Sequence, residues 1–100
     1  MASLHIQHPI TDLRTWTAAF TAFSEQRQRA GVLSETVRRP VGDDRFVVID
    51  LDFDTEDQAT AFLHFLQTVV WASGENSPAL DGDPDVKILE PVDIATAKSP

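Results

Sequence analysis

Two short runs in this chain alternate apolar residues with side chains that could do chemistry. In LHIQHP, His5 and Gln7 alternate with Leu4 and Ile6; in RFVVIDLDFD, Asp50 and Asp52 alternate with Ile49, Leu51 and Phe53. Successive residues of a strand face opposite sides, so each polar pair stands on one face of its strand. If the two strands are neighbours, His5 and Asp50 fall within hydrogen-bond reach in a suitable register. A carboxylate beside an imidazole fixes its tautomer and orientation, the arrangement a general base needs. Arg38 or Gln7 would then bind a substrate oxygen, with Thr36 nearby and Asp52 completing the wall. The same residues also admit a structural role, in which Asp50 and Asp52 neutralise Arg38, His5 or Lys87 and hold packed sheets in register.

Metal binding is not expected. His5 and His8 are three apart, and on a strand they face opposite sides, so they cannot chelate one ion together. His5 with Asp50 and Asp52 is a mixed donor set with no motif spacing behind it.

The elements that must position these groups follow from periodicity. Leu4–Pro9 reads as a strand. Thr11 or Asp12 caps a helix whose stripe is Leu13, Trp16, Phe20, Phe23 and the stem of Arg27, ending at Gly31. Val32–Pro40 is a polar strand suited to a sheet edge, and Val41–Arg45 is a hairpin turn. Arg45–Asp54 is the central strand: Val47, Ile49, Leu51 and Phe53 make one apolar face, and Phe46, Val48, Asp50 and Asp52 make the other. Thr55 with Gln58 forms a capping box for a second helix, with a stripe of Ala59, Phe62, Leu63, Leu66, Val69 and Val70 closed by Trp71. His64 flanks that stripe and reads as a solvated boundary residue. Residues 73–85 form a long loop expected to fold back over a barrel mouth or a partner subunit. Val86–Val92 is the last strand, and 93–100 a frayed polar tail.

This order is an α+β, ferredoxin-like βαββαβ sandwich with antiparallel sheet order 4-1-3-2. Both helices cover one sheet face. The other, with Phe46 and Val48, stays open in a monomer, which predicts a homodimer with two sheets packed face to face.

Composition limits the alternatives. The 100 residues make one domain, with a core over about 4–92 and 42% hydrophobic residues. There is no cysteine, which removes disulfides and thiolate chemistry and fits a cytoplasmic setting. A net charge of −8, from 8 basic and 16 acidic residues, disfavours nucleic acid and anionic membranes as partners. No segment approaches the roughly 20 apolar residues of a membrane span.

The run HPITDLRTWTAAF, then Gly31, then FVVIDLDFDTEDQATAFLHFL resembles the dimeric α+β barrel superfamily, in particular small proteins related to the antibiotic biosynthesis monooxygenases. The resemblance covers roughly residues 4–90. It implies a fold shared by cofactor-independent monooxygenases of polyketide phenols, polyketide cyclases, lactone isomerases, haem-degrading enzymes and ligand-sensing modules. Monooxygenase relatives carry an asparagine on the first strand and a tryptophan on the second helix, where this chain has Gln7 and Trp71; its one asparagine, Asn76, falls in the loop. Cyclase relatives use a strand histidine as base, which His5 matches. In haem-degrading relatives a tryptophan precedes the histidine, whereas here His64 precedes Trp71, so no haem is expected. The resemblance thus implies an enzyme on a small apolar or aromatic substrate with no bound cofactor. The other class left open is a dimeric binding or scaffold module whose barrel is filled by side chains.

Overall fold

The computed structural model of the chain describes residues 1–92 and residue 94, so the expected tail, Ile94 apart, lies outside the described residues. Strand β1 runs over Ala2–Pro9 and β3 over Phe46–Phe53; both alternate strictly between buried and half-buried positions. That alternation is the sequence periodicity made physical. Leu4, Ile6, Val47, Ile49, Leu51 and Phe53 turn to the helices and are buried, at roughly 1.5–3 kcal/mol per fully buried side chain. The edge strands are β2 (Ser34–Arg38) and β4 (Asp85–Leu89). All pairings are antiparallel and the sheet order is β2-β3-β1-β4, the order expected.

Asp12 caps helix α1 (Leu13–Ala22) by accepting a 2.8 Å bond from the Thr15 amide. The helix was expected to continue to Arg27, but it breaks at Phe23 and restarts as α2 (Ser24–Arg29). The Phe20 carbonyl at this break accepts bonds from the Phe23 amide at 3.2 Å and from Arg27 Nη1 at 2.5 Å. After α2, Gly31 takes φ +96° and donates to the Gln28 carbonyl while Val32 donates to that of Arg27, a complete Schellman stop.

Helix α3 (Glu56–Phe65) begins with the Thr55/Gln58 capping box, both bonds 3.2 Å long. It was expected to run unbroken to Trp71. Instead its last turn widens into a π turn over Leu66–Val70, closed by a 2.7 Å bond from the Trp71 amide to the Leu66 carbonyl. The wider turn shifts the phase of the stripe. Val70 is buried, whereas Val69, expected in the stripe, is exposed. Phe65 packs against the core instead.

The long loop folds back on its own subunit. Ala79 is buried, its carbonyl accepts a 2.9 Å bond from the Thr11 amide, and Leu80 bridges Ile10. Among the described residues no helix is long and apolar enough to cross a membrane.

Candidate functional site

The outer sheet face carries polar residues in rows fixed by register. Thr36, Asp50, His5 and Lys87 form one row across the four strands, and Arg38, Val48, Gln7 and Asp85 form the next. His5 Nδ1 lies 2.7 Å from Asp50 Oδ1, and Arg38 Nη2 donates to Asp50 Oδ2 at 2.7 Å. His5 Nε2 stands 3.4 Å from Gln7 Oε1, and Gln7 Nε2 is 3.4 Å from Asp85 Oδ2. The imidazole–carboxylate pair and the ion pair therefore coexist on one aspartate. Asp52 belongs to a separate row: the hydroxyls of Ser3 and Ser34 each donate to it at 2.5 Å and lower its pKa. Phe46 and Val48 lie half-buried on this face in the single chain.

Trp71, the remaining expected binding residue, does not join that wall. As part of the helical layer it lies on the opposite side of the sheet, where it borders a cavity of about 80 Å³ between sheet and helices. One water needs roughly 10–15 Å³ by this measure, so the space admits about half a dozen small groups. This cavity is distinct from the pocket expected between the packed sheets of a dimer. Trp16, Phe20 and Phe23 of the α1 stripe line it and are only half-buried, with Trp16 and Phe20 stacked at 4.8 Å. Phe65 and Trp71 add further aromatic wall, and Asn76 and Ser77 of the folded-back loop border the rim.

Besides Asn76 and Ser77 at the rim, two buried polar residues border this apolar space. Arg27 is 5% exposed, its stem in the stripe as periodicity required. Its head is spoken for: Nε donates to Glu35 Oε2 at 2.7 Å, Nη1 to the Phe20 carbonyl, and the guanidinium carbon sits 3.6 Å from the centre of the Phe20 ring. His8 is 3% exposed and bonds through Nδ1 to the Pro9 carbonyl at 3.0 Å. Burial lowers its pKa below the usual 6.5, against a smaller opposing pull from that carbonyl. Sequence reasoning weighed His8 only as half of a metal pair and missed it as a cavity residue. The signal was present, since His8 shares strand parity with the buried Leu4 and Ile6. Among the described residues no cluster of three or more metal-ligating side chains occurs.

No family model matches the chain, and no curated protein matches it. Solved structures do. A protein of unknown function from Nitrosomonas europaea superposes with a TM-score of 0.71 at 10% identity, over 92% of this chain and 89% of its own. An antibiotic biosynthesis monooxygenase-like protein from the same organism gives 0.69 at 14% identity, over 92% and 99%. A monooxygenase of Streptomyces coelicolor, solved with the ligand nanaomycin D, gives 0.64 at 17% identity, over 92% and 88%. Dimeric ferredoxin-like proteins from uncultured marine organisms share the architecture as well. The chain has the ferredoxin-like α+β fold of these proteins, and at such identities the likeness is one of fold.

Proposed function

We propose that the protein is a homodimeric, cytoplasmic α+β barrel that takes a small aromatic molecule into its helix-side cavity and oxygenates it without a bound cofactor. The observation that carries this function is an aromatic-walled cavity bordered by one buried, neutral imidazole. Pockets of this kind, apolar with few placed polar groups, are where small ligands bind. The likeness in fold to a monooxygenase solved with the ligand nanaomycin D supports the same chemistry. The overall reaction balances with dioxygen as sole oxidant: a phenol and O₂ give a quinone and water. Homodimerisation is supported by the half-exposed Phe46 and Val48 and by the dimeric neighbours.

The test is dioxygen uptake by the purified protein over a panel of single-ring phenols, with mass analysis of products formed under ¹⁸O₂. Uptake with one labelled oxygen in the product is the expected result. Binding without uptake makes the protein a ligand-binding module, and absence of both removes the function.

The outer face supports a second function, because His5 and Asp50 meet at 2.7 Å. In a dimer with sheets face to face, this pair would line the barrel interior, where His5 would transfer protons in a cyclase- or isomerase-type reaction with Arg38, Gln7 or Asp52 holding substrate oxygens. If the barrel is instead filled, the same residues serve a non-catalytic scaffold.

A further inference from the structure

We propose that the exposed edge of β2 pairs with the same edge of a second copy of this chain, antiparallel and about a two-fold axis at Val37. The contact is separate from the cavity and from the packing of sheet faces, and rests on neither.

β2 ends the sheet, so one side of its backbone has no strand beside it. Unpaired amides and carbonyls along such an edge are a template for another strand. Every residue of β2 is exposed, whereas β4, the other edge strand, keeps Val86 and Ile88 half-buried. The helical layer also stops short of β2. Val37 is 41% exposed and lines an open groove beside Leu13, Trp16 and Phe20 of α1. Leu33 and Val41, which flank the strand, are exposed as well. Three large apolar side chains thus meet water along one short edge.

The pattern of that edge supplies the partner. Glu35 stands opposite Leu51 and Val37 opposite Ile49, so the odd-numbered residues of β2 face the helical side. Along that row the chain reads Leu33, Glu35, Val37, Arg39, Val41. A two-fold axis at Val37 sets Val37 against the partner's Val37, Glu35 against the partner's Arg39 and Leu33 toward the partner's Val41. Opposed side chains of an antiparallel pair lie close enough for opposite charges to attract and apolar groups to pack. Each of these pairs is matched, and the ion pair occurs twice by symmetry.

Neighbouring registers lose the match. An axis at Thr36 brings Leu33 to the partner's Arg39 and Glu35 to the partner's Val37. An axis at Arg38 brings Val37 to the partner's Arg39, and axes at Glu35 or Arg39 set like charges together. The row therefore favours one register and penalises the others, the two parts of a specific interface.

The present partners of the two charges leave room for the contact. Glu35 accepts from Arg27 Nε at 2.7 Å, yet its side chain is 40% exposed, and a carboxylate has about four acceptor sites. Arg39 pairs with Asp44 of the following turn, both exposed, a bond of little worth in water and readily exchanged. A strand of this length buries little area, so the contact is weak and joins dimers into larger assemblies only at high concentration.

The chain has no cysteine, so single substitutions report the contact by disulfide formation. In Val37→Cys the two thiols sit on the axis, with Cα atoms roughly 4.5–5.5 Å apart, inside disulfide range. In a glutathione redox buffer this variant should link on the order of 10-fold more readily than Val69→Cys, whose site on the helical layer is equally exposed. Adding Arg39→Glu, which opposes the partner's Glu35 with a like charge, should remove most of that advantage, and Arg39→Lys should keep it. Val48→Asp, which opposes the sheet-face dimer, should leave the linkage intact, so the two contacts fail separately. Sedimentation of the wild type at high concentration should show assemblies larger than at micromolar concentration, lost in Val37→Lys. Linkage no greater than in Val69→Cys, linkage indifferent to Arg39→Glu, or a mass unchanged in Val37→Lys would each overturn the pairing.

Discussion

His5 and His8 stand on opposite faces of one strand, the first against the Asp50 carboxylate at 2.7 Å and the second against the Pro9 carbonyl at 3.0 Å. One histidine belongs to the open sheet face and the other to the space beneath the helices. Their three-residue spacing makes a shared ligand impossible and gives the protein two chemically distinct imidazoles.

Substitution on the open face reads out the first of these. If His5 transfers protons, His5→Ala lowers turnover on the order of 10²–10⁴-fold. Asp50→Asn does similar damage because it removes the carboxylate charge that stabilises the imidazolium formed in proton transfer. Asp52→Asn does less, since Asp52 bonds Ser3 and Ser34 and not the imidazole. Turnover unchanged in His5→Ala would leave this face as an interface alone.

Val48→Asp probes the dimer. Val48 is half-buried in the single chain and sits beside Asp50 in β3. An unpaired charge in a dry sheet–sheet interface costs several kcal/mol, enough to weaken association by more than about 100-fold. Sedimentation at micromolar concentration should show wild-type dimers and variant monomers. A wild-type monomer would refute the pairing of sheets.

Stability should fall on mild acidification because of His8. Its folded pKa lies below the unfolded value of 6.5, so above 6.5 both states are neutral and stability is full. Between the two values the unfolded chain binds more protons, and stability drops as pH falls until it levels off below the folded pKa. Urea midpoints between about pH 7.5 and about pH 5.5 should therefore decline less in His8→Gln than in wild type. Parallel declines would mean that His8 is not held neutral.

The capping box of α3 supplies a simpler measure of helix stability. Thr55→Ala removes the acceptor of the Gln58 amide and should cost about 1 kcal/mol in urea denaturation. A loss within error would show that the Gln58 side chain holds the turn unaided.

Limited proteolysis should spare the loop of residues 73–85. Ala79 is buried, Asn76 Nδ2 donates to the Val69 carbonyl at 3.0 Å, and Ser77 Oγ donates to the Ser73 carbonyl at 2.8 Å. Cleavage there before the chain ends would contradict this packing.

Strand alternation by itself determined which side chains share a face, because a period of two leaves no freedom once a strand forms. Leu4 and Ile6 had to join Val47, Ile49, Leu51 and Phe53, and His5 had to look the other way. Element order and the short connection at Gly42 likewise dictated the sheet order, and Asp12, Gly31 and Thr55 marked helix ends through local bonds that each residue makes with near neighbours. Register needed the tertiary structure: that His5 meets Asp50, and not Asp52, depends on how two distant segments slide past each other. The π turn was equally out of reach, since Leu66, Val69 and Val70 continue the helical stripe and nothing in their spacing marks where the bonding widens. In that turn Val69 is exposed, and past it Trp71 borders the helix-side cavity. The buried head of Arg27, anchored by Glu35 from β2, and the cavity beside His8 arise the same way. Each depends on the volume left when sheet, helices and loop meet, and periodicity can name the side chains that face that space without measuring it.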